Sequence, residues 1–234
     1  MGIRKKLMTV VLAAALTLSL AVPALAVTGS PTNPGFDSET GLDVNYQDHD
    51  DKTTENGTCV TTKVSTSTAV TKTVTAGTGK TSVDINIARD RNNKKKPITR
   101  LGDAKNGTGV FNSTAGKMIT TVRINSPAAQ VNVSAYAFKG SNAKNLYLKS
   151  KKVVFAKNSF NGTKAKDINI TIFPNADGSM RTSSSIGIAQ QDAFKGLSSS
   201  ATITVKKGSM TVNQFRKLRA RLIAAGFPGK IVRK

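Results

Sequence analysis

The sequence predicts a mainly β protein: a repeat solenoid of parallel strands with an N-terminal β cap and a C-terminal α-helical cap. Three observations predict it. A phenylalanine in a turn is written three times, as Tyr136-Ala137-Phe138-Lys139-Gly140, Asn158-Ser159-Phe160-Asn161-Gly162 and Asp192-Ala193-Phe194-Lys195-Gly196, with a looser copy at Gly109-Val110-Phe111-Asn112. Alternating apolar runs follow, at Leu146/Leu148, Ile168/Ile170/Ile172 and Ile203/Val205, and Val122/Ile124 stands after Phe111. The two ends differ from the middle, one rich in Thr and Val, the other helical in its spacing. A turn and one short strand bury too little to stand alone, so such units must stack on neighbours.

Residues 1–26 read as a secretory signal peptide. Arg4-Lys5-Lys6 is its positive start, the run from Leu7 to Val22 is apolar, and Pro23-Ala24-Leu25-Ala26 ends in the small residues a signal peptidase reads, so cleavage is expected after Ala26. That run is shorter than the roughly 20 residues of a spanning helix. No later segment is apolar enough, so no membrane span is expected after cleavage. The one cysteine, Cys59, excludes an internal disulfide.

Residues 27–57 read as an acidic disordered leader. Between 27 and 62 there are seven acids and one base, Lys52, and few large apolar residues (Phe36, Leu42, Val44, Tyr46). Such a composition buries too little to offset chain entropy. Asp48-His49-Asp50-Asp51 contains the single histidine but has no second ligand set at a useful spacing, so it reads as solvated linker and no metal site is expected.

Residues 58–97 read as the N-terminal β cap. Thr58 to Val64 and Val70 to Thr75 alternate β-branched residues, Ala76-Gly77-Thr78-Gly79 makes a turn, and Ser82 to Ile87 is the next strand. Gly79-Lys80-Thr81 is a coincidental turn rather than a phosphate loop. The earlier glycine such a loop needs is Val74, and a strand follows where a helix is required.

Residues 98–205 hold the repeats. The phenylalanines at 111, 138, 160 and 194 are 27, 22 and 34 apart, so the last interval needs an insertion of roughly a dozen residues, with turn chemistry at Phe173-Pro174-Asn175-Ala176-Asp177-Gly178-Ser179. The phenylalanines are expected to point inward and stack, and Gly140, Gly162 and Gly196 to turn the backbone with positive φ. Outward residues of the strands, Tyr147, Asn169, Thr171, Thr202 and Thr204, are polar or amphipathic and form a possible contact face.

The segments Ile98-Thr99-Arg100-Leu101-Gly102-Asp103 through Phe111, Val133 to Gly140, and Ile188 to Gly196 resemble the I-G-x-x-A-F-x-G-C-x-x-L-x-x-I-x-I unit of BspA-like leucine-rich-repeat bacterial surface proteins. The resemblance covers roughly residues 82–234. Ser141, Thr163 and Leu197 stand where that unit has its cysteine. It implies irregular leucine-rich repeats, an array closed by a helix, and a non-catalytic binding role at the cell surface.

Residues 206–234 read as that closing segment. Thr211 with Gln214 resembles a capping box. Val212, Phe215, Leu218 and Leu222 recur at helical spacing, with Arg216, Lys217, Arg219 and Arg221 opposite as a possible polyanion contact. Gly226 and Pro228 stop the helix, and Ile231-Val232 adds a short closing strand.

Charge gives the last expectation. Residues 63–234 carry 31 bases against six acids, a net of +25. A field of that sign draws polyanions and is salt-dependent. The expected partners are a protein or glycan ligand on the repeat face or, alternatively, an anionic cell-wall polymer holding a basic scaffold. A specific nucleic acid target is not expected, nor a cofactor. Catalysis is not expected either, because no histidine, cysteine or paired carboxylates are framed for it in the repeats. A secreted or surface-bound monomer is the expectation.

Overall fold

A computed structural model describes residues 36–37, 42–43, 49–55, 58–64, 69–76, 79–90, 92, 94–102, 109–189 and 191–234. The segment read as a signal peptide lies outside the described residues. β1 (Phe36–Asp37) and β2 (Leu42–Asp43) pair antiparallel with each other, in the compact unit Met1–Asn45.

The unit Tyr46–Lys234 is built on one eleven-stranded, mainly parallel sheet that does not close into a barrel. It begins earlier than the composition suggested. β3 (His49–Glu55) pairs antiparallel with β4 (Thr58–Val64), although residues 49–55 fall in the acidic leader. Thr53 and Thr54 favour a strand there, and the pairing with β4 holds it extended whatever its charge. β5 (Ala69–Ala76) continues the antiparallel run beside β4.

β6 (Ser82–Ile85) was grouped with the cap by its composition, yet it pairs in parallel with β10 (Thr121–Val133). Its alternation, Val83 and Ile85 buried between exposed neighbours, is that of the later strands. From β6 the first parallel ladder runs through β10, β11 (Asn145–Phe155), β12 (Asp167–Ile172) and β14 (Thr202–Val205) to β15 (Lys230–Arg233). Its inner rows are Val83–Val122–Leu146–Ile168–Ile203–Ile231 and Ile85–Ile124–Leu148–Ile170–Val205. A second parallel ladder joins β5, β9 (Arg100–Leu101), the far ends of β10 and β11, and β13 (Ile186–Ile188).

Register accounts for the unequal spacings. Ser126 to Gln130 spans four positions where its partner segment, Ser150 to Lys152, spans two. Pro127 lies in that bulge, where its missing N–H costs no ladder bond. Phe111 to Thr121 is ten positions where Phe138 to Asn145 is seven, and a 3₁₀ turn at Gly116–Met118 takes up the difference. These five residues make up the difference between 27 and 22. In the last interval, Ile172 to Ile186 spans 14 positions where Ser150 to Val153 spans three. That loop and one further residue before Phe194 supply the dozen.

The phenylalanines line up. Phe111, Phe138, Phe160 and Phe194 are buried, with successive ring centroids 5.7, 5.5 and 6.0 Å apart and planes within 6°, 3° and 17°. Near-parallel rings separated by more than the roughly 4.8 Å between strands are offset, as aromatic quadrupoles prefer. Phe155 and Phe227 extend the stack. Phe155 lies 5.4 Å from Phe160, and Phe227 meets Phe194 edge-on at 5.4 Å.

Each later turn uses two left-handed positions. Gly140, Gly162 and Gly196 have φ of 71°, 73° and 93°. Two residues before each phenylalanine, Tyr136, Asn158 and Asp192 also have positive φ, at 59°, 56° and 67°. Asn and Asp tolerate that region, whereas the bulky Tyr136 does so at some cost. Backbone bonds tie the turns together: Tyr136 N–H donates to Asn158 O (3.0 Å), Asn158 N–H to Asp192 O (3.0 Å) and Gly140 N–H to Gly162 O (3.1 Å).

α1 (Val212–Ala224) follows the last turn. Thr211 Oγ1 accepts from Gln214 N–H at 3.3 Å, which is one arm of a capping box. The Gln214 side chain does not return to Thr211, because its Oε1 accepts from Ser183 N–H at 2.8 Å. Leu218 and Leu222 are buried and Phe215 partly so, but Val212 is 50% exposed and lies outside the apolar stripe. Gly226, at φ 82°, closes the helix, with Gly226 N–H donating to Ile223 O and Phe227 N–H to Leu222 O.

β7 (Ile87–Arg89) and β8 (Lys95–Pro97) form a separate antiparallel hairpin. Asp90 anchors it, its Oδ1 accepting from Asn92 N–H (3.0 Å) and Lys94 N–H (2.9 Å), with Lys96 Nζ 3.6 Å from Oδ2. Burial alone would raise the Asp90 carboxyl; those amides and the Lys96 ammonium outweigh it and hold the group below its ordinary 3.8. A depressed carboxyl stabilises the fold above its unfolded value and loses that contribution as pH falls through the folded one. The Asn92 and Lys94 amide shifts should therefore follow a titration whose midpoint lies below 3.8, read by NMR. A midpoint above 3.8 would mean that burial wins.

Candidate functional site

Outward side chains of the first ladder share one face because the strands pair without slippage and side chains alternate along each strand. One outward row is Thr121–Asn145–Asp167–Thr202–Lys230. The next is Asp84–Arg123–Tyr147–Asn169–Thr204–Val232, and a third holds Asn125–Lys149–Thr171. All five residues expected on a contact face, Tyr147, Asn169, Thr171, Thr202 and Thr204, lie in these rows.

Tyr147 stands at the middle, 37% exposed. The Arg123 guanidinium sits 5.6 Å from its ring centroid, and Arg123 Nη1 is 3.9 Å from Asp84 Oδ2. The exposed ion pair adds little stability. Its effect is to lay Arg123 across the tyrosine.

Two shallow depressions meet at Tyr147. One, of about 440 Å³, is lined by Asp84, Asn86, Arg123, Asn125 and Lys149 besides Tyr147. The other, of about 380 Å³, is lined by Asn145, Asp167, Asn169, Thr202, Thr204 and Lys230 with the same tyrosine. Thr171 lines neither.

Sequence reasoning missed Asp84, Arg123, Asn145, Asp167 and Lys230. Alternation at Val83/Ile85 and Val122/Ile124 marks Asp84 and Arg123 as outward, but only the pairing of β6, β10 and β11 sets them beside Tyr147, and Asn145, Asp167 and Lys230 open their strands just before the alternation begins. β6 and β10 had been assigned to a cap and to a looser repeat.

The residues expected to meet a polyanion divide. Arg216, Lys217 and Arg219 are exposed on α1. Arg221 is half-buried, and its Nη1 donates to Ser183 O at 3.1 Å. Together with the Gln214 bond it fastens the helix to the 3₁₀ turn Ser183–Ser185, so Arg221 has a structural task.

Among the described residues no three His, Cys, Asp or Glu side chains come together as a metal site, and no helix is long and apolar enough to cross a membrane. His49 and Cys59 lie on β3 and β4, and their side chains are outside the described residues. Depressed carboxyls occur at Asp90 and at Asp177, where the Ser179 hydroxyl and amide hold the group below 3.8, and neither lies on the sheet face. The chain matches no family model, no curated protein and no solved structure. Its geometry defines a class: a mainly parallel β-sheet protein with a helix near its C-terminal end and a polar outer sheet face.

Proposed function

We propose that the chain is a secreted or surface-associated BspA-like leucine-rich-repeat protein. Its units stack as a solenoid, and it binds a protein or glycan non-catalytically through the outer sheet face. The observation that carries this reading is the in-register row Arg123–Tyr147–Asn169–Thr204. Successive strands present a guanidinium, an aromatic ring, an amide and a hydroxyl to one surface, which suits extended contact.

The test is a binding screen of the purified protein against an array of defined oligosaccharides and against envelope proteins. Hits are then re-measured with the double variant Tyr147→Ala/Asn169→Ala. Truncating an interface aromatic with its neighbour should weaken a genuine ligand about tenfold or more, with the melting temperature within about two degrees of the parent. A variant that binds every hit as the parent does would remove the face from the proposal.

A second reading has its own support. The net of +25 over residues 63–234 favours retention by charge on an anionic envelope polymer. Washing producing cells at low and then high salt separates the two, since screening releases a charge-held protein and leaves a specific contact partly intact.

A further inference from the structure

The second reading names no surface, and the sequence offered α1. The geometry points elsewhere. We propose that the turn edge, where Lys117, Lys139, Lys144, Lys164, Lys166 and Lys195 line up across four successive turns, is a binding track for a linear polymer that carries its charge on backbone phosphates and has no bases. This inference rests on the charge-retention reading and not on the sheet-face one.

All six lysines are exposed. They sit between each phenylalanine and the strand that follows it, so stacking of the turns brings them together. Lys117 lies over Gly140, its Cε 3.9 Å from where a Cβ would stand, and Lys139 lies over Gly162 in the same way, its Cγ at 3.6 Å. Lys166 N–H donates to Lys144 O at 2.8 Å, which fixes those two side by side. With strands about 4.8 Å apart, the track crosses three intervals, roughly 15 Å in all.

Its charge is not answered from within. Among the described residues none of these lysines has a carboxylate partner. The acid in the same turns, Asp192, lies 4.0 Å from Lys157. Asp167, next in the chain to Lys166, lines a depression on the sheet face instead. On α1, by contrast, one of the four bases is already used by a backbone carbonyl.

The residue types choose the partner. The six bases of the track are all lysines, mobile point donors that follow phosphates without demanding the fork geometry of arginine. Single-stranded nucleic acid needs free aromatic platforms for its bases. The aromatic ring at this edge, Tyr136, is covered by the Lys139 ammonium at 5.4 Å from its centroid.

Inorganic polyphosphate is the probe, measured against the purified protein by calorimetry between 50 and 200 mM salt, with neutral dextran and single-stranded DNA alongside. The variant Lys139→Gln/Lys164→Gln/Lys195→Gln should bind about tenfold or more weakly, and its log–log salt slope should fall by about 2, the share of three phosphate contacts on a single strand. The variant Arg216→Gln/Lys217→Gln/Arg219→Gln removes as much charge and should stay within about twofold of the parent. Equal losses in the two variants, or none in the first, would overturn the track while leaving charge retention standing. A parent that binds DNA but not polyphosphate would overturn the choice of polymer. A parent that binds neither would remove the charge-retention reading as well.

Discussion

Phe160→Ala should lower the unfolding free energy by about 3 to 5 kcal/mol, the usual cost of emptying a buried aromatic site. Phe160 is fully buried and has three ring neighbours, Phe138 at 5.5 Å, Phe155 at 5.4 Å and Phe194 at 6.0 Å. The site cannot collapse, because backbone bonds hold the turns on either side at fixed spacing. Phe111 is equally buried but meets one ring, Phe138 at 5.7 Å. Phe111→Ala should therefore cost less than Phe160→Ala in denaturant unfolding. The double variant Phe138→Ala/Phe160→Ala should cost less than the two singles together, by the roughly 0.5 to 1.5 kcal/mol of a ring pair. Unfolding midpoints equal to that of the parent would show that the rings do not form one stack.

The stack was legible because it is written in large apolar residues beside glycines. Phe138, Phe160 and Phe194 each carry a glycine two places on, and both members of the pair matter: one fills the core, the other takes a backbone angle few residues adopt. The inner rows of the parallel strands were legible for the same reason, as alternation of Leu, Ile and Val. What stayed hidden depends on register. Nothing local distinguishes β6 from a cap strand, since its parallel partner β10 begins 39 residues after Ser82. The strand at His49–Glu55 was hidden by charge, which argues for disorder when averaged over a segment and says nothing of pairing with β4. The left-handed turns at Asn158 and Asp192 used residues that favour them, but Tyr136 gave no such cue. On the outer sheet face, Tyr147 and its row could be placed from the strands after each phenylalanine. Arg123 and Asp84 join them through pairing that only the folded chain displays.

Gly229→Ala should cost about 3 kcal/mol, near the top of the range for overpacking, because the obstacle is backbone. A Cβ at Gly229 would run into the carbonyl oxygen of Ala201, with the carbonyl carbon at 2.8 Å. Here glycine is required by close approach and not by its own φ. That oxygen accepts Lys230 N–H at 2.8 Å, the bond that starts the pairing of β15 with β14. Relief of the clash must lift β15, and with it the Ile231 side chain packed on the core. Gly208→Ala is the matched control. It lies in the 3₁₀ turn just before α1, its Cβ would meet nothing within 4 Å, and its cost should stay within about 0.5 kcal/mol. Hydrogen exchange localises the effect: the Lys230 and Lys234 amides, which donate to Ala201 O and Val205 O, should lose protection in Gly229→Ala and keep it in Gly208→Ala. The same variant bears on the outer sheet face, because Lys230 and Val232 of β15 line the depression beside Tyr147. Unchanged stability and unchanged exchange in Gly229→Ala would place the edge of the sheet at β14, and the outer face would lose its last strand.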